Sequence, residues 1–461
     1  MPPISDERTP PQVARATDDA RAKDELRAAW DEMIARLGRA REAIDDPALY
    51  PPPVTERNLA EGYRYLLGFV FGAIERALID PRFPYFRRAI QPVDKATIDN
   101  ADAIYLCAPL DPDATYRISG RAGDTRHWRG EAPAASGRRA PHYVIFEATT
   151  AYAGDSGRLE ELSPAVRTNT GSLDSSKLGV NPDGTFEILV APALPAGYEG
   201  NFIPTKRKEF AARHLVLREL FEDWEHEDAL DLRMACVDTE GTHPPPLDAA
   251  AAASQLRRAG EIVDHQMRFW NEFYAVILET YADMNGDGKR FMPRNDMNPP
   301  NFASIATGGG QTTNLYSGGV FELAPDEALV VETRVPVKPA YNGFHLSNLW
   351  GESLDYANHV TSLSAQQVVA DTDGAVRYVI AHRDPGVPNW LDTTGLAEGF
   401  MALRWTYSQK PDALPTVGVR KVRLEDVRRH LPAATRHVSA EERGEQIRIR
   451  QAHVQRRYRQ Y

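Results

Sequence analysis

One stretch of the sequence, from Tyr341 to His359, concentrates side chains that could transfer protons. It reads YNGFHLSNLWGESLDYANH, so imidazole, carboxyl and phenol groups lie within a few residues of a tryptophan. Histidine, aspartate and tyrosine are all able to act as general acids or bases in enzymes. Four candidate catalytic residues follow from this stretch: His345, Asp355, Tyr356 and His359.

The same stretch could form one wall of a pocket for an apolar ligand, because such pockets combine aromatic walls with a few convergent polar groups. Regular strand alternation points Asn348 and Trp350 to one face and His345 to the other. A bulge or a second wall is therefore needed to bring the two sides together. With residues from other strands and turns added, the candidate ligand-binding residues are Tyr316, Asn348, Trp350, Asn389, Trp390 and Arg404, the last as a charge stabiliser.

Each of these residues also has a structural interpretation, which the sequence leaves open. The tyrosine and aspartate of a loop can satisfy backbone groups, and asparagine in a proline-rich turn often does the same. Arg404 lies inside an apolar strand, where it could be buried and paired with Asp355 or Glu332.

Motifs for metals and cofactors are absent or incomplete. The segment Asp283–Gly288 opens like a calcium-binding EF-hand loop, but its twelfth position is Arg294, where a bidentate glutamate is required. The run GGGQTTNLYSGG at 308–319 lacks the Gly-Lys-Ser/Thr of a P-loop, although it could close over a ligand. We find no HExxH, Cys/His pairing or dinucleotide fingerprint. We therefore expect no metal and no organic cofactor, while a site assembled from distant residues stays open.

Helical periodicity is strongest near the N-terminus and in the middle of the chain. Thr55 can cap an N-terminal helix whose apolar face includes Leu59, Tyr63, Leu66, Leu67, Val70 and Phe71. Runs of β-branched and aromatic residues, separated by Asp, Gly and Pro, predict strands on both sides of the middle helix. The predicted order is a disordered N-terminus at 1–22, a helical segment at 23–98, a first β-domain at 99–245, a long helix and connecting loop at 246–300, a second β-domain at 301–438 and a basic C-terminal helix or tail at 439–461.

An internal repeat relates the two β-domains. NTGSLDSSKLGVNPDG at 169–184 aligns without a gap with HVTSLSAQQVVADTDG at 359–374. Further matches are Tyr105 with Tyr316 and Leu217-Arg218 with Leu403-Arg404. Two domains related in this way should share one strand order, in a chain of the α+β class that is mainly β.

The second of these domains resembles the bacterial family known as domain of unknown function 1214. The resemblance spans 326–407 and is carried by PDEALVVE, LSNLWGESLDYANHVTSL, DTDGAVRYVIAHRDPGVPNW and GFMALRWTY. The first half resembles a diverged copy. The family implies two β-sandwich or jelly-roll-like domains with helical additions and implies nothing about a reaction. The usual family motif Asn-Trp-Leu-Pro has Asp392 at its last position in this chain, so the following turn is expected to differ.

Composition excludes several classes of protein. The chain has 461 residues and a formal net charge of −11, which argues against non-specific binding to nucleic acid. Its two cysteines cannot form a disulfide framework. The opening residues lack the apolar core of a Sec signal peptide, and no apolar run is long enough to span a membrane. We therefore expect a cytoplasmic protein. Its basic C-terminal segment should dock on an acidic surface of its own body or of a second subunit, which leaves a homodimer open.

Two classes of function fit these observations. The first is a cofactor-independent acid–base enzyme, a lyase, dehydratase or isomerase, that acts on an apolar, aromatic and hydroxylated small molecule in catabolism. One concrete form is retro-aldol release of formaldehyde from a hydroxymethyl-bearing phenol. The alternative is a non-catalytic β-sandwich module that binds carbohydrate or a protein partner. An enzyme should have an enclosed cleft with perturbed titratable groups, whereas a glycan binder should have shallow aromatic platforms. We favour the enzyme because the polar and aromatic cluster occurs in one half only.

Overall fold

The computed structural model describes residues 10–49, 52–280, 292–301 and 314–458. The fold is α+β and mainly β, with two β-domains and four long helices among the described residues. These helices are α1 (Pro10–Glu42), α2 (Glu56–Leu78), α3 (Ala249–Ala275) and α4 (Ala440–Tyr458). A π-helical turn at Val276–Thr280 extends α3, and short 3-10 helices lie at Pro47–Leu49, Arg126–Arg129, Leu159–Leu162 and Leu424–His430. No helix in these ranges is long and apolar enough to cross a bilayer.

The first domain is a sandwich of two sheets. Its strands are β1 (Arg87–Ile90), β2 (Ala103–Pro109), β3 (Tyr116–Arg121), β4 (Tyr143–Thr149), β5 (Asn169–Asp174), β6 (Thr185–Ala191), β7 (Asn201–Pro204), β8 (Lys206–Arg207), β9 (Phe210–Ala211), β10 (His214–Leu220) and β11 (Asp231–Cys236). The larger sheet has the order β1-β2-β10-β4-β5 and the smaller one β11-β3-β6-β7, while β8 and β9 form a separate hairpin. Leu106, Phe146 and Ile188 meet in the core between the two sheets.

The second domain is a sandwich of two four-stranded sheets. Its strands are β12 (Asn314–Glu322), β13 (Glu327–Arg334), β14 (Tyr341–Ser347), β15 (Ser362–Ser364), β16 (Val376–Ala381), β17 (Trp390–Asp392), β18 (Glu398–Thr406) and β19 (Thr416–Arg423). The sheet orders are β12-β18-β14-β15 and β17-β16-β13-β19. Phe344, Tyr378 and Trp405 are buried between them.

The two domains share one strand order, which confirms the internal repeat. The order β2-β10-β4-β5 corresponds to β12-β18-β14-β15, and β11-β3-β6-β7 corresponds to β19-β13-β16-β17. Each smaller sheet also contains one parallel pair, β6 with β7 and β16 with β17. Strand β1 extends the first domain only. It lies inside the segment predicted to be helical, because the chain after α2 pairs antiparallel with β2.

Equivalent asparagines connect the parallel strand to the rest of each smaller sheet. Asn201 accepts a hydrogen bond from the Gly179 amide (2.7 Å) and donates to the carbonyls of Gly179 and Glu187. Asn389 makes the same three bonds, to backbone groups 20 and 12 residues before it. Asn389 was a candidate ligand-binding residue, but its amide is occupied by the backbone and has a structural role.

Asn389→Ala should destabilise the chain by about 1–3 kcal/mol, because backbone donor and acceptor groups lose their buried partner. Asn389 also has a φ of 56°, a left-handed conformation that Asn tolerates better than Ala. Asn201→Ala makes the same change at the equivalent position of the other domain. Urea unfolding measures the stability of both variants. Unchanged stability in Asn389→Ala would contradict the structural role.

Helix α1 begins at Pro10, so the prediction of disorder at 1–22 is wrong for residues 10–22. This segment has no apolar stripe, which is the usual sign of a helix, but Ala and Arg have high helix propensity. Further along, α1 lies against α3. The approach is closest at Gly260, where a Cβ atom would lie 2.9 Å from the Cα of Met33. Residues 1–9 lie outside the described ranges.

Helix α2 starts where the sequence predicts, since the Thr55 side chain accepts a hydrogen bond from the Asn58 amide (3.1 Å). The predicted packing face is correct only in part. Leu59, Leu66 and Val70 pack against the core, whereas Tyr63, Leu67 and Phe71 are exposed. The buried residues of α2 are instead Asn58, Glu61, Gly62, Tyr65, Gly68, Phe69, Gly72 and Ala73. Three glycines on this face let the helix approach its neighbours more closely than a stripe of large side chains would.

The basic C-terminal segment is helix α4, which contacts both domains. Ser439 and Glu442 form a capping box at its start (3.2 and 2.8 Å). Arg443 forms an ion pair with Asp384 of the second domain (2.9 Å). Arg456 forms one with Asp228 of the first domain (3.3 Å). Arg443 and Arg456 therefore fasten the helix to acidic groups of its own chain.

Candidate functional site

The predicted acid–base residues do not share a pocket. His345 on β14 is completely buried, and its Nε2 lies 3.3 Å from the Tyr341 hydroxyl. Tyr356 is buried in the core of the first domain, with its hydroxyl 2.9 Å from that of Tyr458 on α4. Burial lowers the pKa of His345 and raises the pKa of Tyr356, so each stays neutral near pH 7.

The other two predicted acid–base residues lie in a surface turn. Asp355 accepts hydrogen bonds from the backbone and side chain of Asn358 (3.2 and 2.8 Å). His359 lies 2.8 Å from Asp392, and its side chain is 44% exposed. Both residues therefore stabilise local structure and face no cavity.

The two predicted aromatic walls are also structural. The Trp350 indole donates to the Asn58 carbonyl of α2 (2.8 Å), and the Trp390 indole donates to the Ala381 carbonyl (3.1 Å). Asn348 donates to Glu352 (2.8 Å) inside its own turn. The interior of the second sandwich is filled by packed side chains such as Phe344, Tyr378 and Trp405.

A cavity of about 480 Å³ lies instead between the two domains. One wall is the outer face of the larger first-domain sheet, and the opposite wall is the outer face of the β12-β18-β14 sheet. Helices α2 and α3 close it with Phe69, Phe269 and Trp270. Of the ten predicted site residues, Tyr316 and Arg404 line this cavity. Its size is typical of small-molecule sites.

Two repeat-related Tyr–Arg pairs project into this cavity. Tyr105 on β2 is the cross-strand neighbour of Arg218 on β10. Tyr316 on β12 is the cross-strand neighbour of Arg404 on β18. Each arginine interacts electrostatically with both tyrosines, so the four side chains meet across the domain boundary.

The two arginines differ in their charge partners. Arg218 forms an ion pair with Glu147 of β4. The position that corresponds to Glu147 in the second domain is His345, since each lies across from the residue two before the arginine of its own domain. A buried histidine with a lowered pKa carries no negative charge. Among the described residues, no carboxylate lies within 4.0 Å of the Arg404 guanidinium.

Asp94 contributes a carboxyl group to the cavity wall. The carboxyl lies against α2, where a Cβ atom on Gly72 would come within 2.3 Å of its Oδ2. No described residue forms a hydrogen bond with this carboxyl group. Burial raises the pKa of Asp94 to about 7, although the nearby cations Arg87 and Arg76 oppose the shift. A carboxyl group with this pKa can take up or release a proton at neutral pH.

The raised pKa of Asp94 predicts a pH-dependent stability difference between wild type and Asp94→Asn. In the unfolded chain this pKa is near its ordinary value of 3.8, so between about pH 4 and 7 the folded state binds more protons. The contribution of Asp94 to stability is therefore lost as pH rises through this window. The stability of Asp94→Asn relative to wild type should increase by up to roughly 1.4 kcal/mol per pH unit and level off above pH 7. Urea unfolding at several pH values measures it, and a pH-independent difference would contradict the assignment.

Two sequence motifs fall partly or wholly outside the described ranges. The calcium-like loop at Asp283–Gly288 lies outside them, as does the first half of GGGQTTNLYSGG, whose second half starts β12. Within the described ranges, no group of three or more His, Cys, Asp or Glu side chains is arranged to hold a metal ion.

Sequence reasoning missed Asp94, Tyr105 and Arg218 as site residues. The repeat carried a signal for two of them, because it aligned Tyr105 with Tyr316 and Arg218 with Arg404. No sequence pattern identified Asp94 as a site residue. It lies in a turn between β1 and β2, and its surroundings come from distant parts of the chain.

Comparison with one solved structure supports the fold. The crystal structure of an uncharacterized protein from Burkholderia cenocepacia is 26% identical with a TM-score of 0.71, and the match covers 87% of this chain and 99% of that one. A solved structure from Vibrio parahaemolyticus is 11% identical with a TM-score of 0.40, covering 84% and 100%. A search of curated proteins finds no match.

The family comparison agrees with the resemblance in the sequence, but the matched region is in the other domain. We predicted the resemblance most strongly over 326–407. The repeat explains the difference, because residues 148–218 are the first-domain counterpart of the segment from the end of β14 to Arg404. The model of the family described as protein of unknown function (DUF1214) matches residues 148–218, which confirms the resemblance of this chain to that family over the strands that lead to Arg218.

Proposed function

We propose that the chain is an acid–base enzyme, a lyase, dehydratase or isomerase, that acts on an apolar small molecule in the interdomain cavity. The observation that carries this proposal is the position of Asp94, whose carboxyl group lies in the wall of a mainly apolar cavity. A proton-transfer group works best when its pKa is close to the operating pH. Asp94 has a pKa of about 7 through burial, which supports a role as general base or acid.

The remaining lining suits an aromatic substrate. Phe69, Phe269, Trp270 and Phe273 provide flat apolar surfaces on the helical side. Arg404, which has no described carboxylate within 4.0 Å, provides positive charge on the sheet side. Negative charge that develops on a substrate ring would be stabilised by this cation in a site of low dielectric constant. The alternative of a carbohydrate- or protein-binding module predicts aromatic platforms on an open sheet, whereas the aromatic side chains here line a cavity between two domains.

Formaldehyde release illustrates the chemistry that these groups could support. In a phenol that carries a hydroxymethyl group, Asp94 would take the proton from the hydroxyl of that hydroxymethyl group. The bond from the hydroxymethyl carbon to the ring would then break. Formaldehyde leaves, and the electron pair stays on the ring carbon, which is then protonated. Loss of water from the same compound would need Asp94 as the acid instead: it would protonate the leaving hydroxyl as the carbon–oxygen bond breaks, and the phenol proton would pass to solvent to give a quinone methide. Neither reaction requires an oxidant or a reductant.

The test uses 4-hydroxybenzyl alcohol and a panel of its ring-substituted relatives, incubated with the purified chain and with Asp94→Asn. Colorimetric formaldehyde detection and chromatography follow both reactions. We expect conversion of at least one compound by the wild type and a large loss in the variant. Equal rates in the two proteins would overturn the role of Asp94.

A further inference from the structure

Each of the two repeats places one arginine at the same position in the interdomain cavity. Comparing the charge partners of these two arginines shows which of them is neutralised. In the first domain, Arg218 is neutralised by Glu147, which also accepts a hydrogen bond from Asn169 (2.8 Å). In the second domain, His345 replaces the glutamate and Arg404 keeps its charge. A cation in a water-poor site without a charge partner costs free energy, so its retention calls for a reason.

The surroundings of Arg404 provide donors but little negative charge. Its Nη2 donates to the carbonyl of Ile98, and no described residue accepts a hydrogen bond from its Nε. The carboxylate that acts on it electrostatically is Asp99. That carboxylate already accepts two hydrogen bonds from Ser353, both 2.7 Å long. Arg404 is therefore left with unused positive charge at the cavity wall.

Two phenol groups lie beside this guanidinium. The Tyr105 hydroxyl accepts a hydrogen bond from the Asn100 amide (3.0 Å), and the Tyr316 hydroxyl accepts one from Asn314 (3.3 Å). Each hydroxyl thereby keeps its own proton available for a further acceptor. The Arg404 carbon Cζ lies 5.7 Å from the centre of the Tyr316 ring. Guanidinium and phenol donors thus converge on one part of the cavity.

We propose that the ligand of this cavity carries a carboxylate, which binds Arg404 between Tyr105 and Tyr316, so that the substrate class is an apolar carboxylic acid. This inference rests on the proposed function, because it names the substrate class of the same cavity. A carboxylate matches the planar donor fork of arginine and can accept several hydrogen bonds at once. The apolar body of the acid would lie against the aromatic side chains of α2 and α3.

Arg167 is the natural comparison for Arg404. It also lines the cavity, and no described carboxylate lies within 4.0 Å of it. Its Nε donates to the Ala151 carbonyl (3.1 Å). Unlike that of Arg404, the pKa of Arg167 is lowered, first by burial and then by the nearby Arg218, although Glu161 and Glu147 oppose the shift. Arg404 is therefore the stronger anchor for an anion, and Arg167 serves as the control.

The test compares acids with neutral molecules of the same shape. Binding of benzoate, 3-phenylpropionate, benzyl alcohol and 3-phenylpropanol is measured by calorimetry at pH 7.5, with inorganic phosphate as a further probe. The wild type should bind the acids about 10- to 100-fold more tightly than the matched alcohols, as expected for a charge-assisted hydrogen-bond pair. Arg404→Gln should lose this preference and keep its affinity for the alcohols, whereas Arg167→Gln should keep most of the preference.

The ligand-free melting temperature provides a second readout. Arg404→Gln removes a charge that forms no ion pair with a described carboxylate, so its melting temperature should be unchanged or higher. Arg404→Lys keeps the charge without the planar fork and should show a reduced preference, which keeps the test informative if the glutamine variant fails to fold.

Four results would overturn this inference: acids that bind no better than alcohols, no binding by either, a preference that survives in Arg404→Gln, or phosphate that binds more tightly than the acids. None of these measurements uses turnover. Asp94→Asn should keep the preference for acids, so failure of the catalytic role and failure of carboxylate recognition can be told apart.

Discussion

Asp94→Asn should lower turnover by about a hundred- to ten-thousand-fold, the usual cost of removing a general acid or base. The amide has almost the same shape as the carboxyl group, so it should fit against Gly68 and Gly72 of α2 without rearrangement. Ligand binding should therefore survive the substitution. A fall in kcat with little change in affinity is the expected pattern, measured on the panel compound that the wild type converts.

The dependence of kcat/KM on pH tests whether Asp94 acts as a base or as an acid. If Asp94 acts as a base, kcat/KM of the wild type should rise with pH and level off above about pH 7, where the carboxyl group is ionised. If it acts as an acid, the rate should fall over the same range. Asp94→Asn should lack this transition in either case. A matched control is Asp355→Asn, which alters an exposed carboxylate outside the cavity lining and should leave the profile unchanged. Persistence of the transition in Asp94→Asn would assign it to another group.

Repetition and periodicity made much of the fold predictable from the sequence. The repeat predicted two domains of equal strand order, because turns and strand patterns are local features. Thr55 was likewise predicted correctly as the capping residue of α2. The packing face of α2 was predictable only in part, because three of its glycines lie on the buried side and periodicity arguments look for large apolar residues.

The candidate site was predictable only in part, because it forms between domains. Tyr316 and Arg404 were identified from the second domain alone. Their partners Tyr105 and Arg218 come from the first domain, and no local pattern places the two outer sheet faces opposite each other. The cluster from Tyr341 to His359 looked catalytic because chemistry-bearing side chains were dense in sequence. Dense polar groups in a turn satisfy one another, as Asp355 and Asn358 do.

Arg218→Gln should destabilise the chain by about 3–5 kcal/mol, in contrast to the neutral effect expected for its repeat counterpart. The variant leaves Glu147, whose side chain is 4% exposed, without its guanidinium partner. Leaving a buried carboxylate without its cation costs far more free energy than the ion pair contributed. Urea unfolding of the ligand-free protein measures the loss.

The double variant Arg218→Gln/Glu147→Gln separates charge from packing. It removes both charges of the pair, so much of the stability lost in the single variant should return. If the double variant is as unstable as Arg218→Gln, the loss comes from the packing of the arginine stem and not from the stranded carboxylate. If Arg404→Gln proves as destabilising as Arg218→Gln, both arginines are structural. Opposite outcomes at two equivalent positions would instead mean that the repeat keeps one arginine for stability and frees the other to bind an anion.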